Sequence, residues 1–376
     1  MTSEFDARQL ERAIDLAALG GSRVNPNPRV GAVIVRDGRV IGEGYHQEVG
    51  GPHAEVEAIR NAGEGLEGAT IYVSLEPCCH HGRTPPCTDA IRDAGIARVV
   101  VASDDPSPHA AGRGLGILRD DGIEVLVADG ELATRARLLN QPFRKHARTG
   151  RPWVMFKSAM SLDGKVATRS GDSKWISGES SRELVHDWRA ASDAVAVGIG
   201  TALADDPLLT ARVGGSGSET LAPHQPRRVV FDSLAQLPLG ARLLDGTATS
   251  PLTVVVSRAA PRTATDALET RGVEVICATG ENEQARVRSA LDQLGASGVT
   301  SLMLEGGPKL AGAFLDAGEV DEVRLFVAPL LLAGRGARDP FESDGAETIA
   351  DAVRALTLHC ERIGDDLLVS ARIKEW

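Results

Sequence analysis

An excess of positive charge is missing from this chain: 52 Asp and Glu outnumber 41 Lys and Arg, for a formal charge of −11. Nucleic-acid-binding surfaces usually carry a basic patch or stripe, so that class of partner is disfavoured. Cysteine is scarce too, with five in 376 residues, an odd number at uneven spacings. Such usage does not read as a disulfide framework and suits a reducing compartment, the cytoplasm by default. No apolar run reaches the roughly 18 residues of a membrane span. The N-terminal MTSEFDARQL has no basic segment followed by an apolar one, so no secretory signal is expected. Internal repeats and low-complexity tracts are also lacking, and GGSGSET at 214–220 reads simply as a surface loop.

What is present is ordinary globular composition, 42% hydrophobic and 25% charged, in a length that suits two domains. The polar stretch HARTGRP at 146–152, with its Gly and Pro, sets the expected boundary at about 147–151, giving domains at 1–147 and 151–376. In the first, FDARQLERAIDLAAL reads as a helix, and GAVIVRDGRVIGEGY as a hairpin turning at Asp37-Gly38. A helix from His53 to Gly63, the strand ATIYVSL, a short helix at CTDAIRDAG and a strand–helix–strand run follow. This alternation predicts a mainly parallel sheet with helices on its faces, and 131–147 reads as one more helix. The second half restarts with the strand WVMFKSAM and is read as another α/β unit, with ALADDPLLTAR as a loop. There SLMLEGG leads into PKLAGAFLDAG, a strand, a glycine turn and a helix whose first amides would suit a phosphate.

The most informative stretch is 51–87, GPHAEVEAIRNAGEGLEGATIYVSLEPCCHHGRTPPC. His53, Cys78 and Cys87 offer one nitrogen and two thiolates, and three protein ligands leave tetrahedral Zn²⁺ an open position. Water at that position becomes a nucleophile near neutral pH, and an adjacent carboxylate, Glu55, is placed to move its proton. H-x-E followed by P-C and a second cysteine is the signature of zinc deaminases. Cys87 opens a helix, where the dipole favours thiolate over thiol. A closed structural site remains an alternative, with Cys79, His80 or His81 as the fourth ligand.

Eight residues separate the two cysteines, where the usual nucleoside and nucleobase deaminases have two. The segment EPCCHHGRTPPC closely resembles E-P-C-S-H-H-G-[RK]-T-P-P-C of the bifunctional riboflavin-biosynthesis deaminase–reductase family, with Cys79 in place of Ser. FKSAMSLDGKVATRSGDSKWIS, the Arg189 segment, TALADDPLLTAR and LEGGPKLAGAFL resemble successive landmarks of the family's reductase half. The resemblance implies a cytidine-deaminase-like three-layer α/β/α domain and a dihydrofolate-reductase-like α/β domain that uses NADPH. It implies hydrolytic deamination of 2,5-diamino-6-(5-phosphoribosylamino)pyrimidin-4(3H)-one, then reduction of the ribosyl group to ribityl. Carried over residue by residue, it makes His53, Cys78 and Cys87 the zinc ligands and Glu55 the proton shuttle. It assigns Asn27, His46, His80, Arg83 and Asp105 to the deaminase substrate. Ala159, Trp175, Thr201, Asp205, Ser233 and Gly307 go to NADPH; Ser173, Arg189, Leu209, Arg212 and Glu305 go to the reductase substrate. Ser107 stands where the family's D-P-N-P turn has Asn. Small phosphoribosylated pyrimidines are the implied partners, and homo-oligomers the implied assembly. Competing readings are a nucleoside or tRNA deaminase, a reductase with a purely structural zinc, and a non-catalytic scaffold. The charge, the insert and the intact H-x-E weigh against them.

Overall fold

The computed structural model describes residues 3–81, 85–214 and 220–376. The chain forms two compact units, Met1–Gly150 together with Trp376, and Arg151–Glu375. Among the described residues no helix is long and apolar enough to cross a membrane.

The first unit opens with α1 (Glu4–Ala18), started by a capping box in which Ser3 and Asp6 exchange bonds with each other's backbone. Strands β1 (Gly31–Arg36) and β2 (Arg39–Tyr45) form the hairpin, with Asp37 and Gly38 at φ 50° and 74° as a tight reversal requires. Then come α2 (Ala54–Ala62), β3 (Thr70–Val73), α3 (Cys87–Asp93), β4 (Arg98–Val101), α4 (Arg113–Asp120) and β5 (Glu124–Val127). The sheet order is β2-β1-β3-β4-β5. Alternate strand residues serve opposite faces. Ile34, Ile71 and Val99 pack with Ala58 of α2, Ile91 of α3 and Leu118 of α4. Val33, Tyr72 and Val100 pack with Leu10 and Ile14 of α1. Helices therefore cover both faces, giving three layers. The expectation of a mainly parallel sheet holds only for β3-β4-β5, because β1 runs antiparallel to both β2 and β3.

Helix α2 lies unusually close on the hairpin. A Cβ at Gly42 would sit 2.4 Å from the Ala58 carbonyl oxygen, and one at Gly44 2.6 Å from that of Ala54. These two glycines let the helix bearing His53 and Glu55 settle against the sheet. The single helix expected at 131–147 is two, α5 (Gly130–Leu139) and α6 (Gln141–Thr149). Asn140 breaks the run: its side chain accepts from the Arg29 N–H at 2.8 Å and donates to the Arg29 carbonyl at 2.9 Å. Pro142 then starts the second helix, where its missing N–H costs nothing.

The second unit contains β6 (Trp153–Ser161), α7 (Glu179–Ala191), β7 (Ala194–Gly198), α8 (Ile199–Asp205), β8 (Arg227–Phe231), β9 (Leu252–Val256) and α9 (Arg262–Thr270). It continues with β10 (Glu274–Cys277), α10 (Glu283–Ala296), β11 (Ser301–Glu305), α11 (Pro308–Asp316), β12 (Glu322–Ala328), β13 (Thr357–Ile363) and β14 (Asp366–Arg372). Its nine strands run in the order β10-β9-β8-β7-β11-β6-β12-β14-β13. The first seven are parallel, and β14 and β13 add an antiparallel edge. Separate apolar clusters, built around Phe314 and Leu294 and around Leu243 and Phe326, cover the two faces. Two elements differ from expectation. The start of the presumed loop ALADD is the end of helix α8, and TLHCERI, unassigned from sequence, is the exposed edge strand β13.

Candidate active sites

In the first unit three donor atoms of His53, Cys78 and Cys87 lie within 4.8 Å of one another. His53 caps α2, Cys78 follows the end of β3, and Cys87 is the first residue of α3. The His53 Nδ1 lies 3.1 Å from the Cys87 sulfur and 3.4 Å from that of Cys78. One imidazole nitrogen and two thiols converging from three element ends suit a zinc ion and leave one coordination position open. Among the described residues no fourth His, Cys, Asp or Glu joins this group. Cys79 turns instead to the His109 carbonyl at 3.6 Å, and His80 and His81 are exposed.

Where the three groups face one another, the Cys78 thiol is held low, to about 4. Donation from Cys87 is the main cause, and His53 adds to it. Cys87 is pushed well above its ordinary value, by its bond to Cys78 and then by burial. Cys87 is fully buried, and as ligands of a zinc ion both cysteines would bind as thiolates. Glu55 is only 3% exposed, and its carboxyl is raised to about 7, by burial first and then by the charge of Cys78. A carboxyl poised near neutrality can both take and give a proton.

Asn27 and His46 stand beside this group. The Asn27 amide lies 3.1 Å from His46 Nε2, and His46 Nδ1 lies 2.9 Å from the Pro52 carbonyl, so Nδ1 carries the hydrogen. The rings of His46 and His53 meet edge to face at 5.4 Å. His80 faces His109 at 5.9 Å. Arg83 lies outside the described residues. Asp105 is buried, and its carboxylate accepts from the Ser107 N–H at 2.8 Å, so the backbone of Ser107 keeps that turn closed.

Sequence reading missed Glu76. Buried at 3% exposure, it accepts N–H bonds from Asp105 (3.4 Å), Gly112 (3.0 Å) and Gly114 (3.1 Å), tying loop 105–114 to the residue before Pro77-Cys78. Gly114 seals the same junction, since a Cβ there would lie 2.3 Å from the Pro77 carbonyl oxygen. The only available signal was the E-P-C run itself, which does not say that the Glu points inward.

In the second unit a cavity of about 1190 Å³ opens at the carboxyl ends of the parallel strands. It lies where the strand order reverses about β11 and β6, the place such sheets bind ligands. All eleven second-unit residues named from the resemblance line it: Ala159, Ser173, Trp175, Arg189, Thr201, Asp205, Leu209, Arg212, Ser233, Glu305 and Gly307. Trp175, which also reads as a core residue by type, is 70% exposed, with the Arg182 guanidinium 4.9 Å from its ring centre. Gly306 and Gly307 both have positive φ, and a Cβ on Gly307 would come within 3.2 Å of Thr201 Oγ1. A backbone bare at this point leaves room for a pyrophosphate beside the start of α11.

Arg189 is not a freely offered cation. Its Nε and Nη2 pair with both oxygens of Glu305 at 2.5 and 2.9 Å, and its Nη1 donates to the Thr210 carbonyl at 3.1 Å. Burial alone would raise the Glu305 carboxyl, but the positive charges of Arg189 and Lys157 outweigh it and hold Glu305 ionised. Burial lowers the Lys157 ammonium, which lies 3.9 Å from Glu305. Buried Glu305 with half-buried Arg189 and Lys157 thus forms a charged floor. Arg212 reaches the neighbouring wall, with its Nη2 3.3 Å from His186 Nε2.

Comparison with known proteins agrees with both halves. A family model for the cytidine and deoxycytidylate deaminase zinc-binding region matches residues 3–103, and one for the RibD C-terminal domain matches 152–369. The riboflavin biosynthesis protein RibD of Actinobacillus pleuropneumoniae is 41% identical across 97% of this chain and 94% of its own. Its Escherichia coli (strain K12) counterpart is 41% identical across 96% and 98%. Among solved structures, Acinetobacter baumannii RibD superposes with a TM-score of 0.85 at 39% identity, covering 99% of both chains. A diaminohydroxyphosphoribosylaminopyrimidine deaminase/5-amino-6-(5-phosphoribosylamino)uracil reductase from Thermotoga maritima gives 0.82 at 37%, covering 98% and 99%. With the His/Cys/Cys group in a deaminase-like fold and the cavity in a dihydrofolate-reductase-like one, this chain belongs to the RibD family of bifunctional, zinc- and NADPH-dependent deaminase–reductases of riboflavin biosynthesis.

Proposed function

We propose that the first unit deaminates 2,5-diamino-6-(5-phosphoribosylamino)pyrimidin-4(3H)-one with His53, Cys78 and Cys87 as zinc ligands and Glu55 as the proton carrier. The observation that carries this reading is the convergence of those three donors beside a buried carboxyl raised to about 7. Zinc bound there supplies the Lewis acidity that makes water a nucleophile at neutral pH. Glu55 takes the proton that water gives up and passes it to the departing ammonia, its burial keeping bulk water from intervening. Asn27 and His46, linked to each other, present a directed polar wall to the pyrimidine, and the resemblance assigns His80, Arg83 and Asp105 to the same substrate.

The second unit reduces the ribosyl group of the deaminated product to ribityl. NADPH supplies the hydride, so the protein's task is to bind, orient and exclude water. Ala159, Trp175, Thr201, Asp205, Ser233 and the Gly307 turn hold the cofactor. Ser173, Leu209, Arg212 and the paired Arg189 and Glu305 hold the substrate, and their common placement on one cavity wall system supports the assignment. The domain division at 147–151 is part of the same reading, as is a cytoplasmic location, which suits thiolate ligands that oxidation would destroy.

Full-length, zinc-loaded protein given the diaminopyrimidine ribotide and NADPH should release ammonia and oxidise NADPH in equal amounts. Ammonia without oxidation removes the second activity, and neither signal removes the substrate.

A homo-oligomer is the proposed assembly. Strand β13 is an exposed sheet edge, and Ile349, Leu356 and Leu358 near it are 82%, 59% and 68% exposed. Light scattering should give more than one chain per particle, and Leu358→Lys should shift it towards monomer. A wild-type monomer at micromolar concentration defeats the proposal.

A further inference from the structure

We propose that His186 is a positioning residue that aims Arg212 at the phosphate of the reductase substrate. The proposal rests on the reading of the second cavity as that substrate's site. His186 and Arg189 lie one helical turn apart on α7, and both line the cavity. The Thr210 carbonyl sits between them, 3.2 Å from His186 Nδ1 and 3.1 Å from Arg189 Nη1. A carbonyl only accepts, so His186 Nδ1 must carry the hydrogen. Its Nε2 then holds a lone pair, and the group facing it is Arg212 Nη2, which only donates, at 3.3 Å. Both partners dictate the same tautomer, and only the neutral ring satisfies both.

The charges around the ring keep it neutral. Arg189 on its own helix, Arg212 on the adjoining loop and Glu305 on β11 are the ionised groups that act on it. Burial is the largest cause and the two guanidinium groups follow, lowering the imidazole to about 4 against a partial pull from Glu305. Arg189 holds the Glu305 carboxylate and the Thr210 carbonyl, and Arg212, which the same reading assigns to the substrate, is the arginine whose Nη2 meets His186. Arginine carries large rotamer entropy, and a fixed acceptor at one nitrogen reduces what a ligand must order on arrival.

Two substitutions of the full-length enzyme separate this role from simple packing. Asn at 186 can keep the donor to Thr210 but offers nothing at the Nε2 position, whereas Gln can place its amide oxygen there. His186→Asn should raise KM for the phosphorylated reductase substrate about tenfold, the size of one lost bond to a charged group. Its kcat should stay within about twofold and its KM for the dephosphorylated counterpart should not move, while His186→Gln returns KM to within about threefold of wild type. Calorimetric binding of ribose 5-phosphate should weaken in parallel with KM.

Unchanged KM in His186→Asn overturns the proposal. Equal losses for both substrates, or loss of kcat and thermal stability in both variants, also overturn it in favour of a packing role. Arg212→Gln tests the underlying reading separately. If its KM is normal, Arg212 is not the phosphate ligand; if it rises while His186→Asn is normal, only the role of His186 fails.

Discussion

Glu55 and His53 are two residues apart in sequence and are proposed to play different parts in one reaction, one moving a proton and one holding the metal, and the helix start between them shows how they are kept apart. His53 is the N-cap of α2, so its ring leaves the helix axis, while Glu55 lies in the first turn and points into the core. A carboxyl there has no role in binding the ion, so Glu55→Gln is expected to leave zinc content unchanged while ammonia release falls about 100- to 10,000-fold. Parallel metal analysis and ammonia assay check this, and retained turnover with bound zinc would remove Glu55 from the mechanism. The H-x-E and P-C runs made the metal group legible because their spacing is local. Glu76 and His186 were not legible, since their partners lie 29 to 38 and 24 to 26 residues away.

Helix α1 shows how an element is tied to its sheet by one residue. Asp6 belongs to the capping box and also accepts from Tyr72 of β3 at 2.8 Å and from Arg98 of β4 at 2.8 and 3.0 Å. The Arg98 guanidinium is the main cause that holds its carboxyl far below the ordinary 3.8, despite burial. A depressed folded value means stability that is complete above the unfolded value and lost as pH falls through the folded one. Asp6→Asn should therefore cost about 2–3 kcal/mol at pH 7, and the gap to wild type should narrow only below about pH 4. Urea titrations of both proteins between pH 7 and pH 3 test it; a gap independent of pH would assign the loss to packing. Helices and strands with clear periodicity were readable. The division at Asn140 was only half readable: Pro142 is a local mark of a helix start, but the Arg29 backbone that Asn140 grips lies 111 residues away. Strand β13 escaped notice because an exposed edge strand lacks the alternation that marks a half-buried one.

At the scale of the molecule, each unit carries its own chemistry on its own sheet. The first gathers ligands at element ends, and the second opens a cavity at a topological switch. Among the described residues the single His/Cys/Asp/Glu group fitted for a metal lies in the first unit. Chelation should then abolish ammonia release, while NADPH oxidation with the deaminated substrate stays within about twofold of the untreated rate. Loss of both activities on chelation would show that the reductase unit depends on the metal. Net charge also acts at this scale: at −11 the surface does not favour a polyanion, in keeping with small-molecule substrates.

The sequence alone determined the metal donors, the carboxyl beside them and the two α/β halves, because short motifs and hydrophobic period are properties of neighbouring residues. Tertiary structure decided the rest: that Arg189 is occupied by Glu305, that Glu76 ties loop 105–114 to the residue before Pro77-Cys78, and that His186 lies between the Thr210 carbonyl and Arg212. The reason is physical: burial and pairing depend on groups brought together from distant parts of the chain, and these set charge, tautomer and direction.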